Sequence, residues 1–248
     1  MGTTLLRNVV PIFRSDTGSG HAVLWGSGLL VSDGTDQFLV SAAHVLRAQK
    51  QTDLFLTIGE RRVRNLTGRA LLTPGPDVEV KSDKLDVGVV LLTGADLPPY
   101  LEVEKEALPL RYLCSGLRGD NISQYLVAGY PASKAKPKGN PNELFVQPYS
   151  YTGQSAPESV YREIGVGSDT HLATLFDRRK AIAPGGVIQA FPDPKGMSGS
   201  PLWLLDAPDG PMVVGIAIEH RHRTSSKVML ATDIGVALHM IEQLQQVA

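Results

Sequence analysis

The sequence predicts an all-β chain that closes on a helix, and three observations carry the prediction. Short runs rich in Val, Leu, Ile, Phe and Tyr recur throughout, separated by clusters of Gly, Asp, Asn, Pro and Ser, which is the pattern of a sandwich or a barrel. A clear helical spacing appears at the C-terminus, where Ile234, Ala237, Leu238, Ile241 and Leu244 fall three and four residues apart. The length, 248 residues, suits one large β domain or two small ones. A core of the size that length allows needs no covalent staples.

Taken in order, Val9 to Phe13 is the first candidate strand. Ala22 to Val31 and Gln37 to Ser41 flank Ser32-Asp33-Gly34-Thr35-Asp36, and an Asp-Gly between two apolar runs is a hairpin signal. Leu54 to Ile58, Val63 to Leu66 and Asp86 to Leu92 complete a first set of six, covering residues 1–95. Pro98 and Pro99 lie in a polar stretch, 96–109, expected to be a crossover linker. A second set is expected over 110–232. It begins near Leu110 and includes Tyr125 to Tyr130, Leu202 to Leu205, Met212 to Ile218 and Val228 to Ala231. Ser133 to Asn142, rich in Lys, Pro, Gly and Asn, predicts a solvated loop. Residues 149–186 are mixed and polar, with a short helix or strand around Leu172 to Arg179; a lid, a partner-binding surface or plain decoration would each account for them. The C-terminal helix is expected over 233–248, with Thr232 or Asp233 as its N-cap.

Bulk electrostatics narrow the function. The formal net charge is −1, with 24 basic and 25 acidic residues, so neither a nucleic acid nor an anionic membrane is an expected partner. The apolar runs are far short of a membrane span. Cys114 is the single cysteine, which rules out an intramolecular disulfide and suits a reducing compartment. Met1 to Arg7 has no charged region leading into a long apolar core, so no signal peptide is expected. Gly2 is followed at position 6 by Leu6, where acylation of an N-terminal glycine would want Ser or Thr. A cytoplasmic, bacterial protein is the expectation.

The chemistry is carried by three short motifs. Gly196-Met197-Ser198-Gly199-Ser200-Pro201 stands late in the chain, Ser41-Ala42-Ala43-His44-Val45 stands early, and Leu85-Asp86-Val87-Gly88-Val89-Val90 lies between them. A serine hydroxyl is a poor nucleophile until an imidazole takes its proton, and the imidazole needs a carboxylate to fix its tautomer. The chain order His, Asp, Ser separates this arrangement from those of subtilisins and α/β-hydrolases. All three contexts resemble the trypsin-like serine peptidases. Forty-two residues separate His44 from Asp86, as is usual there, and 112 separate Asp86 from Ser198, which is long. The turn at Gly129-Tyr130-Pro131 also resembles a Gly-aromatic turn of that family.

The resemblance implies two six-stranded antiparallel β-barrels of the chymotrypsin/trypsin fold with a helix docked on the second barrel. It further implies a serine endopeptidase working through an acyl-enzyme, with His44 as general base, Asp86 as its orienting carboxylate and Ser198 as nucleophile. The backbone N–H groups of Gly196 and Ser198 would form the oxyanion hole. Asp83 is a rival to Asp86 but stands in a polar stretch, and Ser200 is assigned to packing. By position, Ile218, Glu219 and His220 should form one wall of the substrate pocket, and Pro192 and Asp193 the other. Lys195, His220, Arg221, His222 and Arg223 favour an acidic substrate residue, whereas Asp193 favours a basic one, and both readings stay open. Met197 occupies the place of the Asp found in members made as zymogens, so activation by insertion of a new N-terminus is not expected. No cofactor is expected. Glu219, His220 and His222 lack the further ligands of a zinc site, so no metal is expected either. The expected partners are a protein or peptide substrate and, as a second expectation, a regulatory protein. The alternative reading is a catalytically silent or latent binding module in a multiprotein bacterial stress or defence system. An esterase using the same three residues is a further one.

Overall fold

The computed structural model describes residues 5–58, 62–74, 84–92, 105–120, 122–138, 140–182, 188–221 and 226–246. Asp83, His222, Arg223 and the greater part of the expected linker lie outside the described residues.

The first sheet begins with β1 (Val9–Ser15), which pairs antiparallel with β2 (Ala22–Ser32), and β2 turns back into β3 (Gln37–Ala42). The turn is built by its own side chains: Asp33 Oδ1 accepts from the N–H of Thr35 and of Asp36, both at 2.7 Å. After a short helix, α1 (Ala43–Arg47), come β4 (Leu54–Ile58), β5 (Arg62–Asn65), β6 (Ala70–Leu72) and β7 (Val87–Leu92). The strand order is β5-β4-β1-β2-β3-β7-β6, and β8 (Leu108–Pro109) runs parallel to the end of β2. The six strands expected from the sequence are all present. β6 and β8 are additions, each too short to leave a periodic signal.

The second sheet contains β9 (Gln124–Gly129), β12 (Tyr149–Gln154), β13 (His171–Leu175), β16 (Pro201–Leu204), β17 (Met212–Arg221) and β18 (Val228–Asp233), in the order β12-β9-β16-β17-β18-β13. Two small hairpins stand apart from it, β10 (Ala135–Lys138) with β11 (Asn140–Val146), and β14 (Ala181–Ile182) with β15 (Ile188–Gln189). The sheets are two curled, antiparallel half-barrels, consistent with a chymotrypsin-like double barrel.

Two expectations are corrected. Ser133 to Asn142 is not a free loop: residues 132–134 form a 3-10 turn and the chain enters the β10–β11 hairpin. Within residues 149–186, the part from 149 to 175 is not a lid or a decoration, because β12 and β13 are the two edge strands of the second sheet, with α2 (Glu158–Ile164) between them. The extra length between Asp86 and Ser198 is spent on framework.

α3 (Gly235–Gln246) closes the chain, buries Ala237, Met240, Ile241 and Leu244, and is capped by Asp233, whose Oδ1 accepts from Gly235 N–H at 2.8 Å. It lies close against β7 of the first sheet, and its buried residues share one apolar cluster with Leu126, Trp203, Val213 and Ile216 of the second, so the expected docking on the second barrel extends to the first. This placement explains the unbroken apolar run of β7. Val87 and Val89 face the α3 side, while Val90 and Leu92 face the first half's interior with Leu39 and Ile12. A strand covered on both faces has no polar alternation, and each such side chain contributes about 2 kcal/mol of apolar burial. No described helix is long and apolar enough to cross a membrane.

Candidate active site

β3 and β7 bring the first two motif residues together. Their register pairs Ser41 with Gly88 and Ala42 with Val87, so the residue before β7 lies against the start of α1. That residue, Asp86, has φ +48, the one described non-glycine residue with a positive φ. The left-handed region costs an L-residue about 1–2 kcal/mol, and Asp tolerates it better than most. The conformation turns all of Asp86 toward α1. Its carbonyl accepts from Ala43 N–H at 2.8 Å, its Oδ1 accepts from His44 N–H at 2.8 Å, and its Oδ2 lies 2.5 Å from His44 Nδ1. One residue thus satisfies two amides at the open N-terminus of α1 and fixes the imidazole. A carboxylate only accepts, so Nδ1 carries the proton and Nε2 is left with its lone pair. The Arg47 guanidinium stands 3.8 Å from Oδ1, and Asp86 is largely buried while His44 is open to solvent.

Ser198 sits in a tight turn ahead of β16. Met197 N–H donates to Pro194 O at 2.8 Å, Ser200 N–H to Met197 O at 3.0 Å, and Gly199 N–H to Ala217 O of β17 at 2.7 Å. Gly196 (φ +93) and Gly199 (φ +89) take conformations that require glycine. Space requires it too, since a Cβ on Gly199 would lie 1.9 Å from Ser27 O. Met197 is 1% exposed and packs in one apolar cluster with Phe176 and Phe191. The turn is therefore anchored by a buried thioether rather than by an ion pair. Ser200 is fully buried, in keeping with a packing role. The Ser198 hydroxyl donates to Ile218 O at 3.2 Å.

The peptide between Lys195 and Gly196 has a defined orientation. Lys195 O accepts from Ala132 N–H at 2.7 Å, and in a trans peptide this aims the Gly196 N–H the opposite way. Gly196 O accepts from Ser27 Oγ–H at 2.9 Å. Among the described residues, the N–H groups of Gly196 and Ser198 meet no protein acceptor.

His44, Asp86 and Ser198 line one cleft of about 640 Å³. Ile218, Glu219, His220 and Asp193 line it as well, whereas Pro192 stands outside the lining. Of the charges around the cleft, Arg221 Nε pairs with Glu219 Oε2 at 2.7 Å, whereas Asp193 Oδ1 accepts from the backbone N–H of Lys195 at 3.0 Å. The His220 ring packs edge-on against Phe176, 5.0 Å between centroids. Pro194, Lys195 and Arg221 line the cleft too, and sequence reasoning missed Lys84, Ile164, Val166 and Leu230, which also do. It also missed Ser27, whose hydroxyl accepts from Tyr130 N–H at 2.9 Å while donating to Gly196 O. The only signal for Ser27 was its place between two glycines in Gly26-Ser27-Gly28.

No protein-family model matches this sequence, and no curated protein is similar enough to it to count as a match.

Proposed function

We propose that this chain is a serine endopeptidase of the trypsin-like type, acting through an acyl-enzyme. The observation that carries the reading is the meeting, in one cleft, of an Asp86-oriented imidazole and Ser198, beside a turn whose Gly196 and Ser198 N–H groups meet no acceptor among the described residues. His44 Nε2 takes the Ser198 proton as Oγ attacks the substrate carbonyl, and Asp86 stabilises the imidazolium. Negative charge growing on the carbonyl oxygen is met by the Gly196 and Ser198 N–H groups, each such donor being worth about 3 kcal/mol. His44 then protonates the leaving amine. Water, activated by the same imidazole, releases the acyl group and restores the Ser198 proton. With a single cysteine and a near-neutral surface, the reading places the enzyme in a bacterial cytoplasm, acting on protein or peptide substrates.

One observation favours the latent alternative, a partner-gated or silent member of a larger system. The Ser198 hydroxyl donates to Ile218 O, so that bond has to break before the proton can pass to His44 Nε2. A fluorophosphonate probe read by intact mass separates the two. One adduct on the purified protein and none on Ser198→Ala is the expected result. A wild type that does not label overturns the constitutive enzyme and leaves the gated module. Comparing a peptide with a simple ester as substrate then separates the peptidase from an esterase.

A further inference from the structure

We propose that His171, from the second half of the molecule, is a positioning residue for Asp86 of the first, acting through the backbone of Lys84 and Leu85. The inference rests on the functional reading above, in which Asp86 orients His44.

His171 is 2% exposed, and a buried imidazole away from the cleft needs a reason. Its Nε2 lies 2.8 Å from Lys84 O, and its Nδ1 lies 2.9 Å from Thr170 Oγ1. A carbonyl can only accept, so Nε2 carries the proton and Nδ1 accepts from the Thr170 hydroxyl. Directly across the β13–β18 ladder from His171 stands Thr232, also fully buried, whose hydroxyl donates to Leu85 O at 2.5 Å. A cross-strand pair on one sheet thus supplies a donor to each of the two carbonyls that precede Asp86. The Lys84 ammonium adds a third tie, donating to Gly165 O at 2.9 Å just beyond α2.

The arrangement answers a need created at Asp86. A left-handed L-residue holds only where its surroundings over-determine it, and β7 constrains Asp86 from the C-terminal side alone. The His171–Thr232 pair clamps the N-terminal side. The carboxylate position, and with it the direction of the His44 ring, then depends on the docking of the two halves. This is the task of β13 and the α2 segment, the stretch that lengthens the chain between Asp86 and Ser198.

The test uses three variants of the full chain and two readouts. His171→Leu keeps the bulk and removes the donor, His171→Gln returns an N–H near the Nε2 position, and Thr232→Val removes the neighbouring donor. The first readout is the maximal rate of Ser198 labelling by a fluorophosphonate, separated from the reagent's binding constant. The second is the downfield proton NMR signal of the His44 Nδ1–H bonded to Asp86, which needs no reactive serine. The Leu variant is expected to label about 10–100-fold more slowly at unchanged reagent affinity, with the downfield signal shifted or lost. The Gln variant should recover both, and the Val variant should fall between. A folded Leu variant with the wild-type rate and signal overturns the proposal. If the Leu variant does not fold, a Val variant with an unaltered signal overturns it instead. A wild type that never labels defeats the functional reading alone, because loss of the downfield signal in the Leu variant still supports the clamp and its persistence defeats it.

Discussion

At Asp86 one side chain and one carbonyl meet three groups at the head of α1, and the conformation that permits this is one most residues avoid. Asp86→Asn preserves size but offers an amide in place of one acceptor, so Nδ1 of His44 loses its fixed proton. The variant should stay folded and label with a fluorophosphonate about 10³–10⁴-fold more slowly, as checked by labelling rate beside thermal melting. Gly196 is the second residue whose identity is dictated locally. A Cβ there would lie 2.7 Å from Tyr130 O and 2.8 Å from Ala132 N, at a φ of +93. Gly196→Ala must therefore rotate the peptide that aims the Gly196 N–H away from the Lys195 O–Ala132 bond. The expected loss is about 10²–10³-fold in acylation rate, with the melting temperature reporting the smaller structural cost. Asp86 and Gly196 were both legible in the sequence, because a turn glycine and an acid before an apolar strand leave a local mark. Ser27 left almost none, since the Tyr130 N–H and Gly196 O it serves are more than 100 residues away.

Among the elements, α3 shows how a single carboxylate can set a boundary. Asp233 takes donors from Gly235 N–H, Ser115 Oγ, Gly116 N–H and the Arg118 guanidinium at 2.7 Å. Burial alone would raise its pKa, but the bonds to Gly235, Ser115, Gly116 and Arg118 outweigh burial and hold it below the ordinary value. A folded-state pKa below the unfolded one contributes stability that is complete above the unfolded carboxylate range, about pH 4. That contribution is lost as pH falls through the folded value. Asp233→Asn should cost about 3 kcal/mol near pH 7, because Arg118 is left without its carboxylate. The gap between wild type and variant should narrow on acidification, as read by denaturant titration at several pH values. The Ile234, Ala237, Ile241 and Leu244 stripe announced this helix in advance, but the surface it covers was hidden. Spacing states which residues face inward, and the partner, β7, lies far away in sequence. The β10–β11 hairpin was missed for the opposite reason. Its Lys, Pro, Gly and Asn content is that of a loop, and pairing of the two segments with each other overrides that local preference.

Across the whole molecule, the candidate site lies on the seam between the half-barrels, and a small set of hydrogen bonds closes that seam. Ser27 N–H donates to Ser198 O at 2.8 Å and the Ser27 hydroxyl links Tyr130 N–H to Gly196 O, while within the first half Ser41 Oγ donates to Ser27 O at 2.7 Å. Ser27→Ala leaves a buried donor and a buried acceptor unpaired, which should cost about 3 kcal/mol. It should also slow Ser198 labelling by loosening the Gly196 peptide. A variant that loses stability yet labels at the wild-type rate would separate the seam from the chemistry. The sequence by itself determined the β class, the six principal strands of the first half, the C-terminal helix and the three motifs that meet in the cleft. Each of these rests on a periodicity or a turn signal contained within a dozen residues or so. Tertiary structure alone decided the rest: that residues 149–154 and 171–175 are sheet, that α3 lies on β7, that Glu219 and Arg221 pair, and that His171 and Thr232 meet the two carbonyls ahead of Asp86. Those are contacts between segments distant in the chain, set by which surfaces meet when two curled sheets close on each other, and no local pattern encodes them.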